Sequence, residues 1–200
     1  MRILAVAIIC LSSFSLLFAQ ESPNPSSKQL RTLAAGSITD NAYRNPELGI
    51  NYKILLGWVD RTDQSTGESD SSNGQVLLAV FEHPPEVKGE GINSAVIIAA
   101  ENLSAYPGVK TAADYFDPLN EATTSQGFKV VNEPYATNVG TKSLVRSDFS
   151  KEIGKLTMYQ SSLVMLSKGY AISFTFICSS EDEVEHLISQ LSFTAPPAKH

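Results

Sequence analysis

The sequence predicts an α+β domain: an α/β/α sandwich around a central, mostly antiparallel sheet of about five to seven strands, with two main helices. Three observations predict it. The runs Gln75–Glu82 and Ile92–Ala100 are apolar on both faces, which central strands covered on two sides require. Two further apolar runs, Leu156–Leu166 and Tyr170–Cys178, are joined by Ser167-Lys168-Gly169, a hairpin signal. Ser180-Glu181-Asp182-Glu183 reads as a capping box opening a helix whose Val184, Leu187, Ile188 and Leu191 form one stripe.

The elements follow in order. Met1-Arg2, the apolar stretch Ile3–Phe18 and Ala19 before polar Gln20 have the three parts of a secretory signal peptide. Residues 1–19 are therefore expected to be removed, and the mature protein to be secreted or periplasmic with no transmembrane domain. Leu17 is larger than the residue usual three places before a cleavage site. Cys10 follows Ile9, where a lipid-attachment signal needs a small residue, and belongs to the discarded segment.

Gln20–Asn41, rich in Ser, Pro and Asn, reads as a flexible N-terminal tether with a short apolar pattern at Leu30, Leu33 and Ala34. Residues 42–194 are expected to form one domain, followed by a tail over 195–200. Gly49–Ile54 alternates as a strand and leads to Gly57-Trp58. In the next strand Leu77, Ala79 and Phe81 fall on one face and Val76, Leu78 and Val80 on the other. Between them, Asp60–Gly74 is a long polar connection.

A helix is expected after Thr111, carrying Ala112, Tyr115, Phe116 and Leu119 and closing at Gly127. Pro118 implies a kink or a fresh start capped by Asp117. Strands are then expected near Phe128–Asn132, Lys142–Ser150 and Leu156–Leu166. The last helix is expected to close on Ser192-Phe193.

This order of elements resembles the PsbP-like fold family. The features that carry the resemblance are Gly49-Ile50 leading to Gly57-Trp58, the helix after Thr111, Gly169-Tyr170 opening the penultimate strand, and the acid-started helix closing on Ser192-Phe193. The family often has a proline two residues before the Gly-Trp pair, where this chain has Leu55. It includes the PsbP subunit of the oxygen-evolving complex, a nuclear Ran-release factor and many periplasmic or lipid-anchored bacterial proteins of unknown role. The resemblance implies an α/β/α sandwich and no particular reaction.

The chemistry-bearing residues are sparse. Basic residues number 15 against 21 acidic ones, so the surface argues against nucleic acid as a partner. No Gly-x-Ser-x-Gly elbow, phosphate loop or dinucleotide fingerprint occurs. Histidine is found only at 83, 186 and 200. Past the signal, Cys178 is the only cysteine and reads as a buried small hydrophobe.

Asp182, Glu183 and His186 share one helical turn, and Glu82, His83 and Glu86 form a second acidic-histidine group; both read as solvated charge, since a zinc site needs three or four ligands. Asp63, Glu68 and Asp70 lack the spacing of a calcium loop. Asn102-Leu103-Ser104 would accept a glycan in a eukaryotic secretory route. Trp58 and Tyr106-Pro107-Gly108 are aromatic candidates for a binding surface or for core plugs.

The expectation is an exported, non-enzymatic domain with no catalytic, cofactor-binding or metal residue assigned, binding an unknown protein partner or small ligand. The alternative is a hydrolytic or metal-dependent enzyme with an acidic site near the 60–74 loop, which would need two close carboxylates in unlike environments.

Overall fold

The computed structural model describes residues 33–67, 74–87, 89 and 91–194. The signal segment, Cys10, most of the tether, residues 68–73 with Glu68 and Asp70, and the tail with His200 lie outside them. In chain order the strands are β1 (Ser37–Thr39), β2 (Ala42–Asn45), β3 (Ile50–Lys53), β4 (Val59–Asp60), β5 (Gly74–Phe81) and β6 (Ala95–Asn102). They continue as β7 (Lys129–Val139), β8 (Lys142–Ile153), β9 (Leu156–Ser167), β10 (Tyr170–Cys178) and β11 (Leu191–Phe193). The helices are α1 (Thr62–Gly67), α2 (Phe116–Ser125) and α3 (Glu181–Ser189), with a 3-10 turn over Leu103–Ala105.

The chain is α+β, with the strands in two antiparallel sheets where the sequence predicts one. The larger has the order β4-β5-β6-β10-β9-β8-β7 and the smaller β1-β2-β3-β11. The strand expected over 49–54 belongs to the small sheet, and β1 places residues 37–39 of the expected tether there too. Leu33, just before it, is buried.

Leu191, assigned by periodicity to the last helix, is the first residue of β11 and pairs with Tyr52. The helix stops at Ser189 because the chain must turn to add this strand to β3. A helical stripe and a following buried strand residue both present an apolar side chain at the same spacing, so periodicity alone cannot separate them.

The central strands of the large sheet are buried on both faces. On one, Val96, Ile98, Ile172, Phe174, Phe176 and Leu163 share a cluster with Tyr43, Ile50 and Tyr52 of the small sheet and Val184 and Leu187 of α3. On the other, Val164 and Ala171 pack with Tyr106, Tyr115 and Phe116, while Val76, Ala79, Phe81, Ala95, Ile97 and Ile177 form a third cluster. A bulge between Val76 and Leu78 shifts the register of β5. Val76 therefore joins Ala79 and Phe81, and Leu77 joins Leu78 and Val80, in place of strict alternation.

The predicted hairpin is present: β9 and β10 are joined by Lys168 and Gly169, at φ 53° and 85°, the left-handed pair of a two-residue turn matched to strand twist. The helix expected after Thr111 starts later. Residues 111–115 form turns, and α2 begins at Phe116, so Asp117 lies inside the first turn and does not cap it. Pro118 is its third residue, where a missing N–H costs no helical bond and no kink is needed. The strand predicted over 128–132 runs on to Val139 as an edge strand, where Pro134 and two bulges are tolerated and discourage pairing with another chain.

Candidate functional site

Strand alternation puts Arg146 and Asp148 of β8 on one face of the large sheet. Across β9, Leu163 lies opposite Arg146 and Ser161 opposite Asp148. Across the bulged β7, Tyr135 lies opposite Arg146 and Asn132 opposite Asp148. Four donors thereby converge on one carboxylate. Oδ1 accepts from Arg146 Nε at 2.7 Å and from the Ser161 hydroxyl; Oδ2 accepts from Tyr135 OH at 3.0 Å and Asn132 Nδ2 at 3.1 Å. Arg146 also reaches α3, with Nη2 2.6 Å from Glu185 Oε1. Its guanidinium lies 5.9 Å from the centre of the Tyr135 ring.

α3 is brought to this site by its cap, since the Ser180 hydroxyl accepts the Glu183 N–H at 3.2 Å. Glu181, Asp182 and Glu185 then stand over Arg146 and Asp148, and a cavity of about 300 Å³ opens between them. Val131, Tyr135, Phe149 and Tyr159 supply its apolar wall. Val131 and Tyr135 are also exposed at its rim, at 49% and 40%.

The electrostatics follow from the contacts. Burial raises the Asp148 pKa, but the donors from Ser161, Arg146 and Tyr135 outweigh it, and the carboxyl is held below its ordinary range. Burial, and then donation to Asp148, pushes Tyr135 up to about 12. The site thus holds a fixed ion pair, a neutral phenol and an acidic helical rim.

The residues singled out from the sequence are distributed elsewhere. Glu183, expected to close the capping box on Ser180, instead accepts from the Ser179 N–H at 3.2 Å and from the Ser94 hydroxyl at 2.5 Å. It is thereby separated in role from Asp182, which lines the cavity. His186 lies on the exposed side of α3. His83 Nε2 is 3.8 Å from Glu82, whereas Glu86 pairs with Arg61 at 3.3 Å. Among the described residues no three His, Cys, Asp or Glu side chains are grouped to hold a metal.

Cys178 is fully buried and donates to the Ser180 carbonyl at 3.5 Å. Burial, with the nearby charge of Glu183, pushes its thiol up to about 12. Trp58 is partly buried against the main core. Tyr106 is buried, and its hydroxyl donates to Glu101.

Sequence reasoning missed Tyr135, Arg146, Asp148 and Glu101. The available signal was the i, i+2 pairing of opposite charges within β8, flanked by the apolar Leu144 and Phe149.

No protein-family model and no curated protein matches the chain. Solved structures similar to it include the cyanobacterial PsbP of Synechocystis, at 18% identity and a TM-score of 0.48, covering 80% of this chain and 98% of that one. LpqN, involved in cell envelope biogenesis of Mycobacterium tuberculosis, is similar at 15% identity and a TM-score of 0.41, covering 73% and 83%. A Ran-binding protein of Saccharomyces cerevisiae is similar at 9% identity and a TM-score of 0.43, covering 72% and 90%. Among the described residues no helix is long and apolar enough to cross a membrane.

Proposed function

We propose that this chain is an exported, non-enzymatic binding domain that seats a positively charged group of a protein partner or small ligand in the cavity between β7, β8, β9 and α3. The observation that carries the reading is the fixed Arg146–Asp148 pair at the floor of a cavity whose rim is acidic and aromatic. Asp148 is saturated by four donors, and Arg146 is engaged by Asp148 and Glu185. Neither charge is left over to attack a substrate.

With Glu185 paired to Arg146, Glu181 and Asp182 remain around the opening, so the field at the rim is negative. The exposed Tyr135 and Val131 add apolar contact, as an aliphatic ammonium or guanidinium chain requires. Export rests on the apolar segment over residues 1–19, and the domain limits of 42–194 on the run of elements. The packing of α3 and the small sheet on one face of the large sheet, and of the Tyr106–Phe116 region on the other, supports the layered α/β/α reading.

Isotope-labelled mature protein, beginning at Gln20, is titrated with a lysine-containing hexapeptide and with its glutamate counterpart while amide shifts are followed. The proposal expects saturable shifts at Val131, Tyr135, Glu181 and Asp182 with the lysine peptide alone, abolished in the double variant Glu181→Gln, Asp182→Asn. Shifts centred elsewhere, or equal shifts with both peptides, would overturn it.

A further inference from the structure

On the face of the large sheet opposite the cavity, Glu101 is 2% exposed. It sits on β6 between Gly74 of β5 and Ala171 of β10, so its strand neighbours offer it no polar side chain. A Cβ at Gly74 would come within 2.9 Å of the Ala100 carbonyl and 3.1 Å of Glu101 Cγ, so the fold leaves that side empty for the glutamate stem. The Tyr106 hydroxyl donates to the Glu101 carboxyl, and Tyr115 lies beside it, the two tyrosine rings meeting edge-on at 5.6 Å. Both tyrosines belong to the segment that leads from β6 to α2.

We propose that Glu101 is a pH-operated latch: with its carboxyl protonated it holds the 103–116 segment on the sheet, and ionisation on raising the pH releases that segment.

The physical reason is the missing countercharge. A carboxylate taken out of water needs a cation or several strong donors, and among the described residues no Lys, Arg or His acts on Glu101. β5 and β10 present Gly74 and Ala171, and among the described residues the titratable groups facing it are Tyr106 and Tyr115. Asp114, within the same segment, is turned to its own loop, accepting from the Lys110 and Thr111 N–H groups.

Burial raises the Glu101 pKa, and the neighbouring phenols of Tyr106 and Tyr115 offset only part of that rise. A folded-state pKa above the unfolded one gives a contribution fully present below the unfolded value and lost as pH rises through the folded one. The least costly way to hydrate the charge is to lift the two tyrosines. Lifting them uncovers the apolar cluster of Phe116, Val164 and Ala171.

Hydrogen exchange of the full mature chain is followed by mass spectrometry from pH 5 to 9, corrected for intrinsic exchange, in wild type and Glu101→Gln. The neutral isostere keeps the acceptor and removes the titration. Wild-type protection over 103–116 is expected to fall by up to about tenfold per pH unit between the open-state and the higher closed-state pKa of Glu101, one proton being linked to each opening, and to level off above the closed-state value. Glu101→Gln is expected to stay flat, with β9 and β10 unchanged in both.

Equal pH dependence in the two proteins, or loss of protection spread evenly over β9 and β10, would overturn the latch. Should Glu101→Gln fail to fold, carbon-detected titration of the Glu101 carboxyl in the wild type decides. Its midpoint must coincide with line or shift changes at the 103–116 amides, and a titration without them would overturn the proposal.

Discussion

Asp148 and Glu101 are two acidic side chains of one sheet, the first partly buried and the second fully, on opposite faces and in opposite chemical company. Asp148 is met by a guanidinium, two hydroxyls and an amide, and its pKa is lowered against the effect of burial. Among the described residues Glu101 is met by two phenols and no cation, and its pKa is raised. Burial acts the same way on both, and the surrounding donors decide which side chain is a permanent charge and which is a titratable one. Permanent charge suits a rigid floor for a binding site; titratable charge suits a fastening that can be undone.

The comparison is broken most directly at Asp148. Asp148→Ala leaves the buried Ser161 hydroxyl and the Arg146 guanidinium without their partner, and urea unfolding is expected to show a loss of about 3 kcal/mol. A loss no larger than that of an exposed carboxylate would mean that the four contacts are not cooperating.

Gly74→Ala probes the other face and is expected to cost about 2 kcal/mol, because the new Cβ meets backbone that cannot swing away. An unchanged unfolding midpoint would show that β5 can move away from Glu101 freely.

The third effect is a difference in pH limbs. Depressed Asp148 contributes stability that is present above its unfolded pKa and lost as pH falls through its folded pKa. Raised Glu101 contributes stability that is present at low pH and lost as pH rises through its folded value. Unfolding free energies measured from pH 3 to 9 should lose the acid-side contribution in Asp148→Asn and flatten on the other limb in Glu101→Gln, by about 1.4 kcal/mol per unit of pKa displacement. Identical limbs in wild type and Glu101→Gln would remove the contrast between the two sites.

The smallest effect is expected at Ser180, whose hydroxyl caps α3 and so orients the acidic rim. Ser180→Ala should cost about 1 kcal/mol and weaken peptide binding at the cavity while leaving exchange over 103–116 unchanged. Loss of protection in both regions would mean that the two faces are coupled through the sheet.

Much of this architecture is written in local pattern. The two-sided apolar runs of β5 and β6, the Lys168-Gly169 hairpin and the Ser180 cap depend on residues within a few positions of one another. Propensity and periodicity report such residues directly. The edge strand β7 was legible only over its first residues, because Glu133, Pro134 and Asn138 dilute the strand signal where packing on a single neighbour suffices. The functional residues were hardest to see: Tyr135, Arg146 and Asp148 look like ordinary members of polar strands until register sets them face to face.

By itself the sequence determined the α+β class, the order of most elements, the hairpin and the start of the last helix, since each is encoded by neighbours in the chain. Only the tertiary structure decided that the strands divide into two sheets, that Leu191 is a strand residue, and that one carboxylate meets an arginine while the other meets two tyrosines. Those outcomes depend in part on long-range pairing, Asp148 with Ser161 and Glu101 with Ala171, even though Arg146 and Tyr106 lie only two and five residues from the carboxylates they meet. A carboxyl group's chemistry is set by everything that surrounds it in space, of which a local window of sequence contains only part.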